Sequence, residues 1–272
     1  MQGTLLRSTI HLVSPRDWWT FSAAVREPRR KAYARTGPPA AKLTAASRRV
    51  RRRLAEGPLT RAELQELIGL GAQGTNRMNH WIDMVRVPPS GTWERRRADL
   101  FAGAEEWIGP DPQPEVLDAR VELVSAYLRG FGPATRAEIA DWAGLKVTQV
   151  DPALAQLELR RFEADNGEPL VDLPRLPLPD PETPAPPRFL PVWDATMLAH
   201  ARRTGILPDE YRSRIFNTKT PQSMATFLVD GAVAGSWRFD KDRIRIEPFH
   251  RLDRATRREL ESEAERLTEF HR

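Results

Sequence analysis

The chain has 272 residues, with 42 Lys+Arg against 37 Asp+Glu and a formal net charge of +5. It has no Cys, which excludes disulfides, thiolate-bound zinc, iron–sulfur clusters and a thiol nucleophile. No apolar run reaches the roughly 18 residues of a membrane span, and the first residues lack a secretory h-region, so a cytoplasmic protein with a folded core is expected.

The charge is segregated. Residues 1–60 carry 13 Lys/Arg and 3 Asp/Glu, whereas residues 109–187 carry 7 and 14. A basic pole beside an acidic one suits a polyanionic partner on one face. Only five basic residues are Lys (31, 42, 146, 219 and 241), and Arg forks match phosphate and base edges.

Residues 4–13 alternate and predict a strand. Ser14-Pro15-Arg16-Asp17 starts a helix that runs to about Ala34, with Trp18, Trp19, Phe21 and Val25 inward, and Thr36-Gly37-Pro38-Pro39 ends it. Thr44 is placed to cap a helix from Ala45 to about Glu56. Thr60-Arg61-Ala62-Glu63 is a capping box for a short helix to Ile68. A third helix is expected over Thr75–Val85, then a strand over Thr92–Arg97 and a further stretch to Ile108. This order is that of a winged helix–turn–helix.

The pattern recurs: an amphipathic helix over Glu115–Arg129, a capping box at Thr135–Glu138, a helix from Val147 to about Arg160, and a hairpin around Asn166-Gly167. Gly57-Pro58-Leu59-Thr60-Arg61-Ala62-Glu63 and Gly132-Pro133-Ala134-Thr135-Arg136-Ala137-Glu138 share G-P-x-T-R-A-E, which points to an internal duplication. Seven prolines between 174 and 187 exclude helix and central strand there. Beyond them come a strand at 188–193, a helix at Met197–Thr204, and a β-meander over 224–229, 232–239 and 243–249 with Asp230-Gly231 as a hairpin turn. A helix over Asp253–His271, packing Leu260, Ala264, Leu267 and Phe270, closes the chain. The expected fold class is α+β and helix-rich: tandem winged helix-turn-helix units followed by a C-terminal β-meander with a closing helix. The units are 1–43 (strand plus helix, a remnant of a first winged helix), 44–108, 109–173, a linker at 174–187, and 188–272.

LLRSTIHLV at 5–13, the two G-P-x-T-R-A-E starts, RFLPVWDATMLAH at 188–200 and FLVDGAVAGSW at 227–237 stand in one order. Together they resemble the bacterial winged-helix DNA-binding family that includes the AlkZ/YcaQ-type DNA glycosylases. The resemblance covers nearly the whole chain. It implies duplex DNA as partner, no metal, and, in active members, excision of bulky or crosslinked alkylpurine adducts for repair or self-resistance. In that family a catalytic Gln-x-Gln or Gln-x-Asp motif precedes the strand that resembles LLRSTIHLV. The strand begins here at residue 5, so the chain is expected to lack that motif. Gln149-Val150-Asp151 spells it inside a repeat helix and is taken as coincidence. Two readings stay open: a monofunctional, water-using DNA N-glycosylase, since no Lys sits in an amine-nucleophile setting, and a non-enzymatic regulator or lesion binder.

Asp194 matches an acidic position of the family's C-terminal motif and could equally cap the following helix. His11 could face a cleft or be a buried, satisfied histidine. These two are the candidate catalytic residues. The five His (11, 80, 200, 250 and 271) have no metal-ligand spacing, so neither metal nor cofactor is expected. For nucleic acid the candidates are Arg48, Arg49, Arg51, Arg52 and Arg53 as a phosphate-gripping helix or a solvated face, and Asn76, Arg77, Asn79 and His80 at the recognition position. Trp93, Arg95, Arg96 and Arg97 on the wing, and Arg202 and Arg203 after Asp194, complete the set. A monomer is expected.

Overall fold

The computed structural model describes residues 1–271 except 36, 93–94, 96–98, 181, 200–204 and 218–221. The chain forms two units, Met1–Pro174 and Arg175–Arg272, in an α+β, helix-rich architecture with antiparallel sheets.

The first unit opens on a hairpin where one strand was expected. β1 (Gln2–Thr4) and β2 (Ile10–Leu12) pair antiparallel across a 3₁₀ turn at Leu6–Ser8, in which Arg7 and Ser8 take positive φ. Leu5 and Leu6 are thereby buried rather than alternating in and out. β1 also pairs with β4 (Met84–Arg86), Gln2 opposite Arg86 and Gly3 opposite Val85. Gly3 faces the indole of Trp18, and a Cβ there would lie 2.1 Å from the ring, so only glycine permits this approach.

α1 (Pro15–Ala34) begins as expected: the Ser14 side chain accepts from the Arg16 N–H, Pro15 occupies the first turn, and Trp18, Trp19 and Val25 are buried. Phe21 is only partly buried against the same cluster. Pro28 lies within the helix and has no N–H to offer the Ala24 carbonyl. Arg120, from a helix described below, donates its Nε to that carbonyl at 3.2 Å.

Next come α2 (Ala40–Leu54), β3 (Leu59–Thr60), α3 (Arg61–Ile68) and α4 (Gly71–Met78). Thr44 is not the cap of α2. The helix starts a turn earlier, after Pro39, and the Thr44 hydroxyl accepts instead from the Trp81 indole at 3.1 Å. α3 has the expected capping box: Thr60 accepts from the Glu63 N–H, and Glu63 accepts from the Thr60 N–H. Gly69 ends it in a left-handed conformation. α4 runs over Gly71–Met78, not Thr75–Val85, because Gly69 and Gly71 take positive φ and only two residues, Gly69 and Leu70, separate it from α3. The second ribbon strand is β5 (Leu100–Gly103); of the strand expected over 92–97, positions 93, 94, 96 and 97 lie outside the described residues, and Arg95 lies outside any strand. The sheet order is β2-β1-β4-β5-β3. α5 (Ala104–Ile108) follows.

The pattern then repeats in α6 (Val116–Phe131), α7 (Arg136–Ala143), α8 (Val147–Leu154), β6 (Arg160–Glu163) and β7 (Pro169–Asp172). Thr135 and Glu138 form the second capping box, and Gly144 the second left-handed end. A further tether recurs. Arg61 donates to the Asn76 Oδ1 at 2.7 Å, and Arg136 to the Asp151 Oδ1 at 2.9 Å, each Arg reaching the third helix of its own repeat. α8 ends at Leu154, before the expected Arg160, since the chain enters β6 there.

In the second unit, β8 (Arg188–Leu190) leads to a 3₁₀ turn at Ala195–Met197, where a longer helix was expected. Leu198 and Ala199 continue it as a turn and bend, and positions 200–204 of the expected helix lie outside the described residues. α9 (Arg212–Ile215) and the ribbon of β9 (Phe216–Asn217) and β10 (Gln222–Ser223) were not anticipated. The meander is β11 (Thr226–Val229), β12 (Ala232–Asp240) and β13 (Arg243–Pro248), in sheet order β13-β12-β11-β8. α10 (Arg254–Phe270), capped by Asp253, buries Leu260 and Ala264. Leu267 is only partly buried, and Phe270, at the last helical position, is exposed rather than packed.

The Pro28–Arg120 pairing predicts a non-additive cycle. Arg120→Met should cost about 1–3 kcal/mol by orphaning the Ala24 carbonyl. In a Pro28→Ala background, where an N–H satisfies that carbonyl, the same change should cost markedly less. Equal losses in both backgrounds, measured by urea denaturation, would contradict this role for Arg120.

Candidate nucleic-acid interface

α2 explains the fate of the five arginines. Leu43, Ala46, Val50 and Leu54 recur on one face and are buried, so the intervening positions turn outward. The guanidinium groups then separate by task. Arg49 donates to the carbonyls of Leu67 and Ile68 and closes the end of α3. Arg51 pairs with Glu105 at 3.2 Å, and Arg53 with Glu56 at 3.6 Å. Arg48 and Arg52, one turn apart on the exposed face, have no partner among the described residues. They lie toward the C-terminal end of the helix, where its dipole favours cations.

The expected recognition face is largely rearranged. Because α4 begins at Gly71, its exposed positions are Gly71, Ala72, Gln73 and Asn76. Asn76 holds Arg61. Arg77 turns inward, donating to the Tyr33 carbonyl at 2.6 Å and lying over the Tyr33 ring at 5.5 Å. Asn79 follows the helix end, half-buried, and its carbonyl accepts from Arg29 at 3.1 Å. His80 is 4% exposed and stacks on Tyr33 with ring centroids 4.2 Å apart. It occupies the interior, not a reading surface. Burial, with Arg29 and Arg77 nearby, pushes its imidazole down to about 3, so it is neutral at physiological pH.

Arg95 is exposed and pairs with Asp99 at 2.6 Å. Trp93, Arg96, Arg97, Arg202 and Arg203 lie outside the described residues. His11 is half-buried on β2, the edge strand, with Nδ1 3.0 Å from the Thr9 carbonyl, and burial lowers its pKa. Asp194 accepts from the Thr196 N–H at 2.8 Å and caps the 3₁₀ turn, so its role here is a capping one. Gln149 accepts from the Lys146 N–H at 3.0 Å and Asp151 holds Arg136, so both ends of the Gln-x-Asp string serve the fold.

One cluster escaped the sequence. Arg26 of α1 lies 3.1 Å from Asp83 and 2.7 Å from Asp111, and Ser22 donates to Asp83. Burial would lower the Arg26 pKa, but the two carboxylates outweigh it and raise it. The cluster borders a cavity of about 200 Å³ lined also by Trp19, Trp81, Arg30 and Arg51. Arg30 lies over the Trp81 ring at 5.2 Å. Ser22, Arg26 and Arg30 share one helix face by spacing alone. Their partners Asp83 and Asp111 come from distant loops, which no local pattern reveals. Chemically, the cavity offers paired carboxylates as acceptors beside aromatic walls, with Arg51 joining its rim to the basic end of α2.

Among the described residues, no three or more His, Asp or Glu side chains are placed to hold a metal, and no helix is long and apolar enough to cross a membrane.

A family model described as DNA glycosylase AlkZ-like matches residues 1–270. The fold is similar to that of Streptomyces sahachiroi DNA glycosylase AlkZ, with a TM-score of 0.78 at 18% identity, over 99% of this chain and 79% of that one. A comparison with curated proteins finds no match.

His80 makes stability pH-dependent. Below its ordinary value of 6.5, the unfolded imidazole takes a proton that the folded one refuses until about pH 3. Stability is therefore lost as pH falls through this window, by up to about 1.4 kcal/mol per pH unit. His80→Phe, which keeps the stack on Tyr33, should flatten the decline in Tm between these pH values. An unchanged slope would contradict the assignment.

Proposed function

The chain belongs to the family of AlkZ-like DNA glycosylases, and from that premise we propose that it binds duplex DNA as a monomer and acts on alkylated purines in it. The two helix–helix–helix–ribbon repeats are the winged helices of residues 44–108 and 109–173. Residues 1–43, which hold the β1–β2 hairpin, α1 and the first turn of α2, are the remaining part of a third, 174–187 the linker, and 188–272 the C-terminal β-rich part. The first repeat meets the DNA.

The observation that carries this is the pair Arg48 and Arg52 at the basic end of α2, which have no partner among the described residues. Two exposed guanidinium groups one turn apart suit successive phosphates on one strand, and Arg binds phosphate bidentately. The acidic second repeat repels the backbone and turns to structural work.

Excision of a purine breaks the bond from the sugar C1′ to the base nitrogen, and the electron pair leaves with the base. Water adds at C1′ and gives up a proton. A base alkylated at N7 already carries positive charge, so it leaves without being protonated. The protein's tasks are to hold the lesion and to stabilise positive charge at C1′, which a carboxylate does best. With few lysines, and Lys31 tied to Glu27, the water route is preferred to an amine adduct.

The second reading, a DNA binder without the excision step, is favoured by one observation: Asp194, the candidate carboxylate, is engaged in capping the 3₁₀ turn through the Thr196 N–H. Incubation with a duplex carrying one N7-methylguanine separates the two. Released base, detected chromatographically, supports excision, and a DNA-bound sample that releases none supports the binder. Both readings require Arg48→Glu with Arg52→Glu to weaken duplex binding at least about tenfold and to lower the slope of log affinity against log salt by about 1.8. Unchanged affinity would remove α2 from the interface.

A further inference from the structure

Trp193 stands apart in the second unit. It is 49% exposed, and its φ of +62° is a left-handed conformation that side chains other than glycine rarely hold. Such strain persists only where surrounding structure enforces it, and it concentrates at functional positions. The enforcing contacts are visible. The Trp193 N–H donates to the Ser223 hydroxyl of β10 at 2.9 Å, and Asp194 caps the turn that follows. The ring is thus presented to solvent from a fastened backbone, not from a loose loop. Val192 beside it is 51% exposed, and Met224, next to Ser223, is 45% exposed.

We infer that this Val192–Trp193–Met224 prow is a wedge that inserts between base pairs of duplex DNA, an inference that rests on the DNA-binding reading above. Size decides between partners. Among the described residues the exposed apolar prow is three side chains, far less than the roughly 800 Å² that each partner buries in a stable protein interface. One indole ring does match the gap between two base pairs, where minor-groove proteins insert apolar side chains and unstack the step. The surroundings fit as well. β9, which pairs with β10 through Phe216 and Ser223, directly follows α9, whose Arg212 and Arg214 are exposed. Guanidinium groups near an apolar wedge suit the flanking phosphates. An enzyme or sensor that must examine a purine gains by loosening its stack, which such a wedge does.

The test uses a duplex with a central 2-aminopurine, whose fluorescence rises on unstacking, and the full chain, with binding followed by anisotropy on the same samples. Wild type should raise the fluorescence on saturation. Trp193→Gly should return it to the free-duplex level while weakening binding by about tenfold, the scale of one lost stacking contact. Glycine relieves the left-handed strain, so this variant's Tm should equal or exceed the wild type's, separating loss of the wedge from misfolding. Trp193→Phe should keep a reduced rise. A wild-type complex that forms without any rise, or a bound Trp193→Gly complex that rises like wild type, would overturn the wedge and leave DNA binding standing. Failure of wild type to bind the duplex at all would overturn the DNA reading, and the wedge with it.

Discussion

The Thr–Glu capping boxes at Thr60–Glu63 and Thr135–Glu138 set the rest of each repeat in place. Each satisfies two helix-end donors reciprocally, a contribution of about 1 kcal/mol, but its larger effect is geometric. It fixes the first residue of the short second helix. The Arg one position on, Arg61 or Arg136, then reaches the third helix through Asn76 or Asp151. The left-handed Gly69 and Gly144 close the other end. Second and third helices are thereby locked in a fixed pose, and the same pose is built twice.

What separates the copies is how their first helix is covered. α6 is buried on two sides: Ala119 and Leu123 join the cluster around Trp18 and Trp19, while Val124, Tyr127 and Leu128 face the core of their own repeat. α1 takes up its outer face, and Arg120 completes the α1 backbone at Pro28. α2 is buried on one side only, through Leu43, Ala46, Val50 and Leu54. Its outer face is left to arginine. The segregation of charge along the sequence follows this difference in covering, and the proposal that the first copy meets the polyanion rests on it.

Much of the fold was legible because its signals are local. Capping boxes, the Asn166-Gly167 and Asp230-Gly231 turns and the duplicated G-P-x-T-R-A-E string depend only on near neighbours, and all lie where the residues place them. The misjudged elements depend on tertiary context. The α4 start moved to Gly71 because two glycines make a turn shorter than the apolar pattern suggests, and that shift carried Arg77 and His80 inward. The hairpin of residues 2–12 hid behind an alternating pattern, since Arg7 and Ser8 adopt positive φ without a glycine to announce it. The site was less legible than the fold. Composition marked the five arginines of α2 but not which of them are spent on Leu67, Glu105 and Glu56. The Arg26–Asp83–Asp111 cluster joins residues far apart in the chain, and nothing local foretells it.

Of the two like repeats, the first is proposed to meet the DNA. Gln73 on α4 and Thr148 on α8 lie 75 positions apart, both exposed, at matching places in the two copies. A photoreactive benzoylphenylalanine placed at either position reports its contact with a bound duplex. Position 73 should crosslink, and position 148 should give no crosslink above background. Crosslinking from 148 alone would contradict this assignment.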